Sequence, residues 1–168
     1  MFRETNRGAN RDILMAALDS PKVVRSLLVT PFDERNPAVS PDGRWLAYVS
    51  NETGTSEVYV RGLAEGSGRS IVSRGGGTEP VWARSGRELF FRANDSVYVV
   101  TVTPGAEFRG SSPRALFGGR FITATVTNWD VSPDGQRFVM VRSTDAVSSG
   151  TPLHVVLHWF DQLRAQRR

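Results

Sequence analysis

The phrase NPAVSPDGRWLAYVS at residues 36–50 returns, altered, as EPVWARSGRELFFR at 79–92 and NWDVSPDGQRFVMVR at 128–142. In each copy a glycine (Gly43, Gly86, Gly135) closes a short turn ahead of an apolar stretch, at intervals of 43 and 49 residues. Repeats of about 40 to 50 residues build propeller blades or helical arrays. The turn argues for strands. In SPDG, Pro41 and Pro133 preset φ at the second position, Asp42 and Asp134 suit the third, and Gly43 and Gly135 accept the left-handed conformation that follows. The middle copy, ARSG from Ala83 to Gly86, keeps only the glycine.

After the turn, Leu46, Leu89 and Phe138 correspond, as do Tyr48, Phe91 and Met140, while Ala47, Phe90 and Val139 occupy the opposite face. Both faces are apolar, as a sheet stacked between two others requires. Val39, Trp82 and Val131 mark a shorter strand before the turn. EVYVRGL (57–63) and RSIVS (69–73) supply two more strands, and SVYVVTV (96–102) and PRALF (113–117) do so in the next copy. Four short antiparallel strands per unit are the content of a propeller blade. Residues 2–18 align without a gap to 47–63, so the chain opens on the back half of a unit. The expected fold is all-β, a partial β-propeller of about three to three and a half four-stranded blades. It divides into a half blade (1–35), blades at 36–78 and 79–127, a last blade (128–158) and a short C-terminal helix (159–168). Three blades do not close a ring, since closed propellers have at least four. The missing blades are therefore expected from a longer parent chain or from self-association.

Composition removes several function classes. The chain has no cysteine, which excludes disulfides, thiolate catalysis and cysteine-ligated zinc. No run approaches the roughly 20 apolar residues that span a bilayer, so no membrane contact is expected of this segment. The opening MFRETNRGANRD is polar and charged, unlike a secretory leader. The net charge is +4 and the pI about 10.3, but the arginines are scattered through all segments and Lys22 is the single lysine. No nucleic-acid partner is expected, because such binding needs a concentrated basic face.

The SPDG turns with their flanking apolar strands resemble the TolB-like, WD40-like propeller repeat. Residues 30–61, 75–92 and 154–164 are similar to the C-terminal propeller of certain bacterial serine/threonine kinases. That resemblance implies a sensing or protein-interaction module, on the periplasmic or extracytoplasmic side, attached to a kinase domain by a membrane span. Kinase motifs have no counterpart in this sequence, so no enzymatic activity is expected of it. Alternatives under the same resemblance are a regulatory propeller of a serine peptidase and a stand-alone periplasmic TolB-type scaffold.

Other possible chemistry has simpler readings. RGGGTEP (74–80) lacks the lysine and helix of a phosphate loop and reads as a link between units. His154 and His158, on a strand, stand roughly 13 Å apart, too far to share one ion. Neither metal nor cofactor is expected. The links 30–36, 74–79 and 118–128 should open on one face around the central channel. They bring Asp33, Glu34, Arg35 and Asn36, then Thr78 and Glu79, then Asn128 and Trp129. A polar ring with an aromatic beside it suits capture of a protein segment, peptide or small ligand.

Overall fold

The computed structural model describes residues 10–142. The expected terminal helix, the third strand of the last unit, both histidines and the start of the half unit lie outside the described residues. Within them there is no helix; thirteen strands form four antiparallel groupings. Strands β1 (Ile13–Ala16) and β2 (Val24–Leu28) pair as sheet I. Sheet II runs β3 (Arg35–Val39), β4 (Trp45–Ser50), β5 (Glu57–Gly62) and β6 (Arg69–Ile71) in sequence order. Sheet III repeats that order with β7 (Thr78–Trp82), β8 (Glu88–Ala93) and β9 (Ser96–Thr103). Its outer edge carries two strands where one was expected: β10 (Arg109–Gly110) and β11 (Arg114–Gly118) both pair with β9. The eight residues of β9 are long enough to hold both, and Pro113, which cannot donate to a ladder, falls between them. Sheet IV consists of β12 (Asp130–Val131) and β13 (Phe138–Val139).

Alternation of side chains along each central strand sorts the core into three layers, one between each pair of successive sheets. Leu46 and Tyr48 pack with Ile13 of sheet I, whereas Ala47 and Val49 on the other face pack with Leu89 and Phe91 of sheet III. Phe90, on the reverse side of β8, meets Trp129 and Phe138, the Phe90 and Phe138 rings lying edge-to-face at 5.2 Å. Each fully buried side chain of this size contributes roughly 1.5–3 kcal/mol, so every central strand stabilises two layers at once. The first strands β3, β7 and β12 lie beside one another.

The repeated turns share one geometry. Gly43, Gly86 and Gly135 have φ of 71°, 68° and 70°. Each donates its amide to the carbonyl three residues back, on Ser40, Ala83 and Ser132. Asp42 accepts from Ser40 Oγ at 2.6 Å and from the Arg44 amide at 3.1 Å. The Ser40 hydroxyl holds the Asp42 carboxyl below the usual aspartate range, and Ser132 does the same for Asp134.

Candidate functional site

Strands β3 and β7 carry the same irregularity. Between Arg35 and Ala38 the ladder to β4 gains one residue, and between Thr78 and Val81 the ladder to β8 does likewise. The extra residue adopts a left-handed conformation in both, Asn36 at φ 50° and Glu79 at φ 54°. Asparagine tolerates that region; glutamate does so at a cost of about 1–3 kcal/mol. Bulges of this kind re-aim side chains beside binding sites.

The incoming links meet the loops that follow β4 and β8 on one rim. The Asp33 amide donates to Asn51 Oδ1 at 2.9 Å, and Arg35 Nη2 to Ser56 Oγ at 2.7 Å. The Gly77 amide donates to the Ser56 carbonyl at 2.8 Å and the Gly119 amide to the Asp95 carbonyl at 2.7 Å. Asn36 Nδ2 reaches Thr127 Oγ1 at 3.2 Å, joining the first of these links to the third across 91 residues. Asp33, Arg35, Asn36, Thr78 and Asn128 are half-buried here, whereas Glu34, Glu79 and Trp129 are buried.

The buried members have structural partners. The Glu79 carboxylate pairs with Arg92 Nη1 at 3.4 Å, with side chains 1% and 3% exposed. The backbone amides of Asn128 and Ala124 also favour its charged form, against burial. Arg92 in turn donates to the carbonyls of Ile122 at 2.7 Å and Phe121 at 3.3 Å. One ion pair thus fastens the 118–128 link to sheet III. Burial raises the Glu79 carboxyl above its ordinary range, with Arg92 opposing.

Glu34 has no such cation. Its Oε1 accepts from Thr30 Oγ1 and from Ser50 Oγ, while Oε2 is buried without a partner. Burial raises this carboxyl, and Asp12 and Asp33 push the same way. The folded chain therefore holds this proton above pH 4.5, where an unfolded glutamate loses it. Stability falls as pH rises from 4.5 through the raised value, then levels off. Glu34→Gln keeps an oxygen for Thr30 and Ser50 and removes the uncompensated charge. It is expected to be more stable than the parent by about 1 kcal/mol at pH 7, the gap closing below pH 4.5 in urea titrations.

The glycine-rich link is occupied by the protein itself. Glu57, which opens β5, accepts the amides of Gly75 at 2.8 Å and Gly76 at 2.9 Å, and also the Ser73 hydroxyl. Successive amides in left-handed or mixed conformation make an anion-binding nest, and here the anion is an internal carboxylate. Sequence reading missed Glu57, Arg92 and Thr127. Arg92 had a signal, being a cation within the otherwise apolar β8; the other two are set by long-range placement. No group of three or more His, Cys, Asp or Glu side chains that could hold a metal occurs among the described residues. Nor is any helix there long and apolar enough to cross a membrane.

Antiparallel sheets stacked in chain order, inner strands together and links on one rim, define a β-propeller segment. Over residues 21–156 the chain matches the family described as the lipoprotein LpqB beta-propeller domain. It belongs to that family. It is 33% identical over 82 residues to a protein TolB homolog of Chlorobaculum tepidum, covering 46% of this chain and 18% of that relative. With a TolB homolog of Chlorobium chlorochromatii it shares 26% identity over 146 residues, 82% of this chain and 30% of that relative. The chain therefore spans less than a third of either curated relative. The fold is also that of a TolB structure from Agrobacterium tumefaciens, with a TM-score of 0.58 and 24% identity. That superposition covers 81% of this chain and 51% of the other.

Proposed function

We propose that the chain is a non-catalytic interaction module whose link-bearing rim docks an extended segment of a protein partner. The observation that carries this reading is the convergence of two links through the 3.2 Å Asn36–Thr127 bond. That bond lies on a rim of half-buried polar side chains rather than a ring of free charges. Such groups match the N–H and C=O groups of a peptide backbone, which direct main-chain recognition. Nearby, Asn128 Oδ1 and Trp129 Nε1 are buried without a partner. A bound peptide that loosens the link would offer them one.

In this reading residues 36–78 and 79–127 are full blades, and 1–35 and 128–158 partial ones. The remaining blades come from a parent chain or a second copy. The family match favours a TolB-type scaffold on the extracytoplasmic side. A receptor kinase as the parent rests on the likeness of 30–61, 75–92 and 154–164, and the coding sequence upstream of Met1 tests it.

A photo-crosslinking residue at Asn36 or Thr127 tests the docking rim in the native cell. The expected result is a discrete adduct with one protein partner from either position, and none from Ile71 on the outer strand β6. Equal labelling from Ile71, or no adduct at 36 and 127, would overturn the reading.

A further inference from the structure

The turn-bearing rim, opposite the links, holds an open cavity of about 400 Å³ between sheets II and III. Its walls include Asp42, Arg44 and Trp45 from one turn, Arg84 and Arg87 from the next, and Val102 to Gly105 at the end of β9 and just beyond it. We infer that this cavity binds an acidic peptide segment through its three guanidinium groups.

The first support is the divergence of the middle turn from its siblings. Ala83 to Gly86 keeps the backbone of SPDG: the Gly86 amide bonds the Ala83 carbonyl at 2.9 Å, as that of Gly43 bonds Ser40 at 2.8 Å. Ser85 Oγ accepts the Arg87 amide at 3.3 Å, doing for this turn what Asp42 does for the first. Relative to SPDG, an aspartate has become serine and a proline has become arginine. The turn's net charge rises by two, one from the new Arg84 and one from the lost aspartate, while Arg87 keeps the cation of its sibling Arg44. The shape is unchanged, so folding gives no reason for Arg84.

The second support is that these charges are unspent. Among the described residues Arg84 and Arg87 are exposed and neither has a carboxylate in ion-pair reach. The cavity's own carboxylate, Asp42, is engaged by Ser40 and the Arg44 amide. Arg44 is held in position, stacked 5.4 Å above the Trp45 ring and donating to the Gly105 carbonyl. Arginine forks match carboxylates two bonds at a time. Trp45, Pro41, Pro104 and Val102 add apolar wall, which suits the stems of glutamate side chains better than a bare inorganic ion.

The experiment titrates fluorescein-labelled hexaglutamate into the intact protein at low salt and follows anisotropy. Saturable binding is expected, weakening as salt rises. Arg84→Ala with Arg87→Ala should weaken it at least tenfold. Rebuilding the sibling turn, Arg84→Pro with Ser85→Asp, should do the same while leaving the melting temperature unchanged. Arg114→Ala, which removes an exposed charge on β11 outside the cavity, should leave affinity intact. Absence of saturable binding, an equal loss in Arg114→Ala, or displacement of the peptide by an equimolar amount of inorganic phosphate would each overturn the inference. None of these substitutions lies on the link-bearing rim, so crosslinking from Asn36 would survive a negative result here.

Discussion

Replacing Glu79 with alanine is expected to destabilise the protein by about 3–5 kcal/mol, the cost of leaving a buried guanidinium without its counter-charge. The Arg92 side chain is 3% exposed and has no route to water. The same substitution loosens the 118–128 link, which loses the carboxylate that the Ala124 and Asn128 amides favour. Urea unfolding measures the first effect and amide exchange of the 118–128 link the second. The control is the double substitution Glu79→Leu with Arg92→Met. With both charges gone, stability should return to within about 1–2 kcal/mol of the parent, because buried ion pairs often do little better than apolar groups of their size. Link protection should not return, since neither new side chain accepts an amide. Restored stability with an unprotected link would separate the fold's need for this pair from the rim's need for it. If Glu79→Ala alone proved neutral, the pair would not be the fastening described above.

That separation bears on what was legible in the sequence. The strands could be read because their cause is local: a glycine at positive φ, a proline that presets the turn, and apolar residues on both faces. Positions 46 to 48 and 89 to 91 therefore announce two-sided packing, and the layers around Leu46, Ala47, Leu89 and Phe90 bear it out. The links were legible as links, but which of their side chains would face solvent was not. Glu34 and Glu79 both look like rim carboxylates in a polar segment, yet both are buried. One is fixed by an arginine 13 residues on, the other by hydroxyls 4 and 16 residues away. Such pairings depend on register across the sheet and on the bulges at Asn36 and Glu79, neither of which has a signature in residue type. The two-strand outer edge of sheet III was hidden for a related reason. Arg109–Gly110 carries no strand pattern and is ordered by the length of β9.

Trp82 carries the other large effect expected. It is 7% exposed in the layer between sheets II and III, and its ring meets Phe108 edge-on at 6.4 Å. Its Nε1 donates to the Ala38 carbonyl of β3 at 3.0 Å. That bond runs between sheets and lies where the ladder of β3 has just been disturbed by its bulge. Trp82→Ala should cost about 3–5 kcal/mol through lost burial and the cavity left behind. Trp82→Phe keeps most of the apolar contact and removes the donor, for a loss of about 1 kcal/mol from the missing bond between the sheets. The two variants should also differ in kind. Alanine weakens the whole layer and lowers the single unfolding transition. Phenylalanine should act mainly at the β3–β7 seam, raising amide exchange beside Ala38 more than at Val58 or Val60 in the centre of sheet II. Equal losses in the two variants would mean that the bond between the sheets, rather than the bulk of the indole, sets how the first strands hold together.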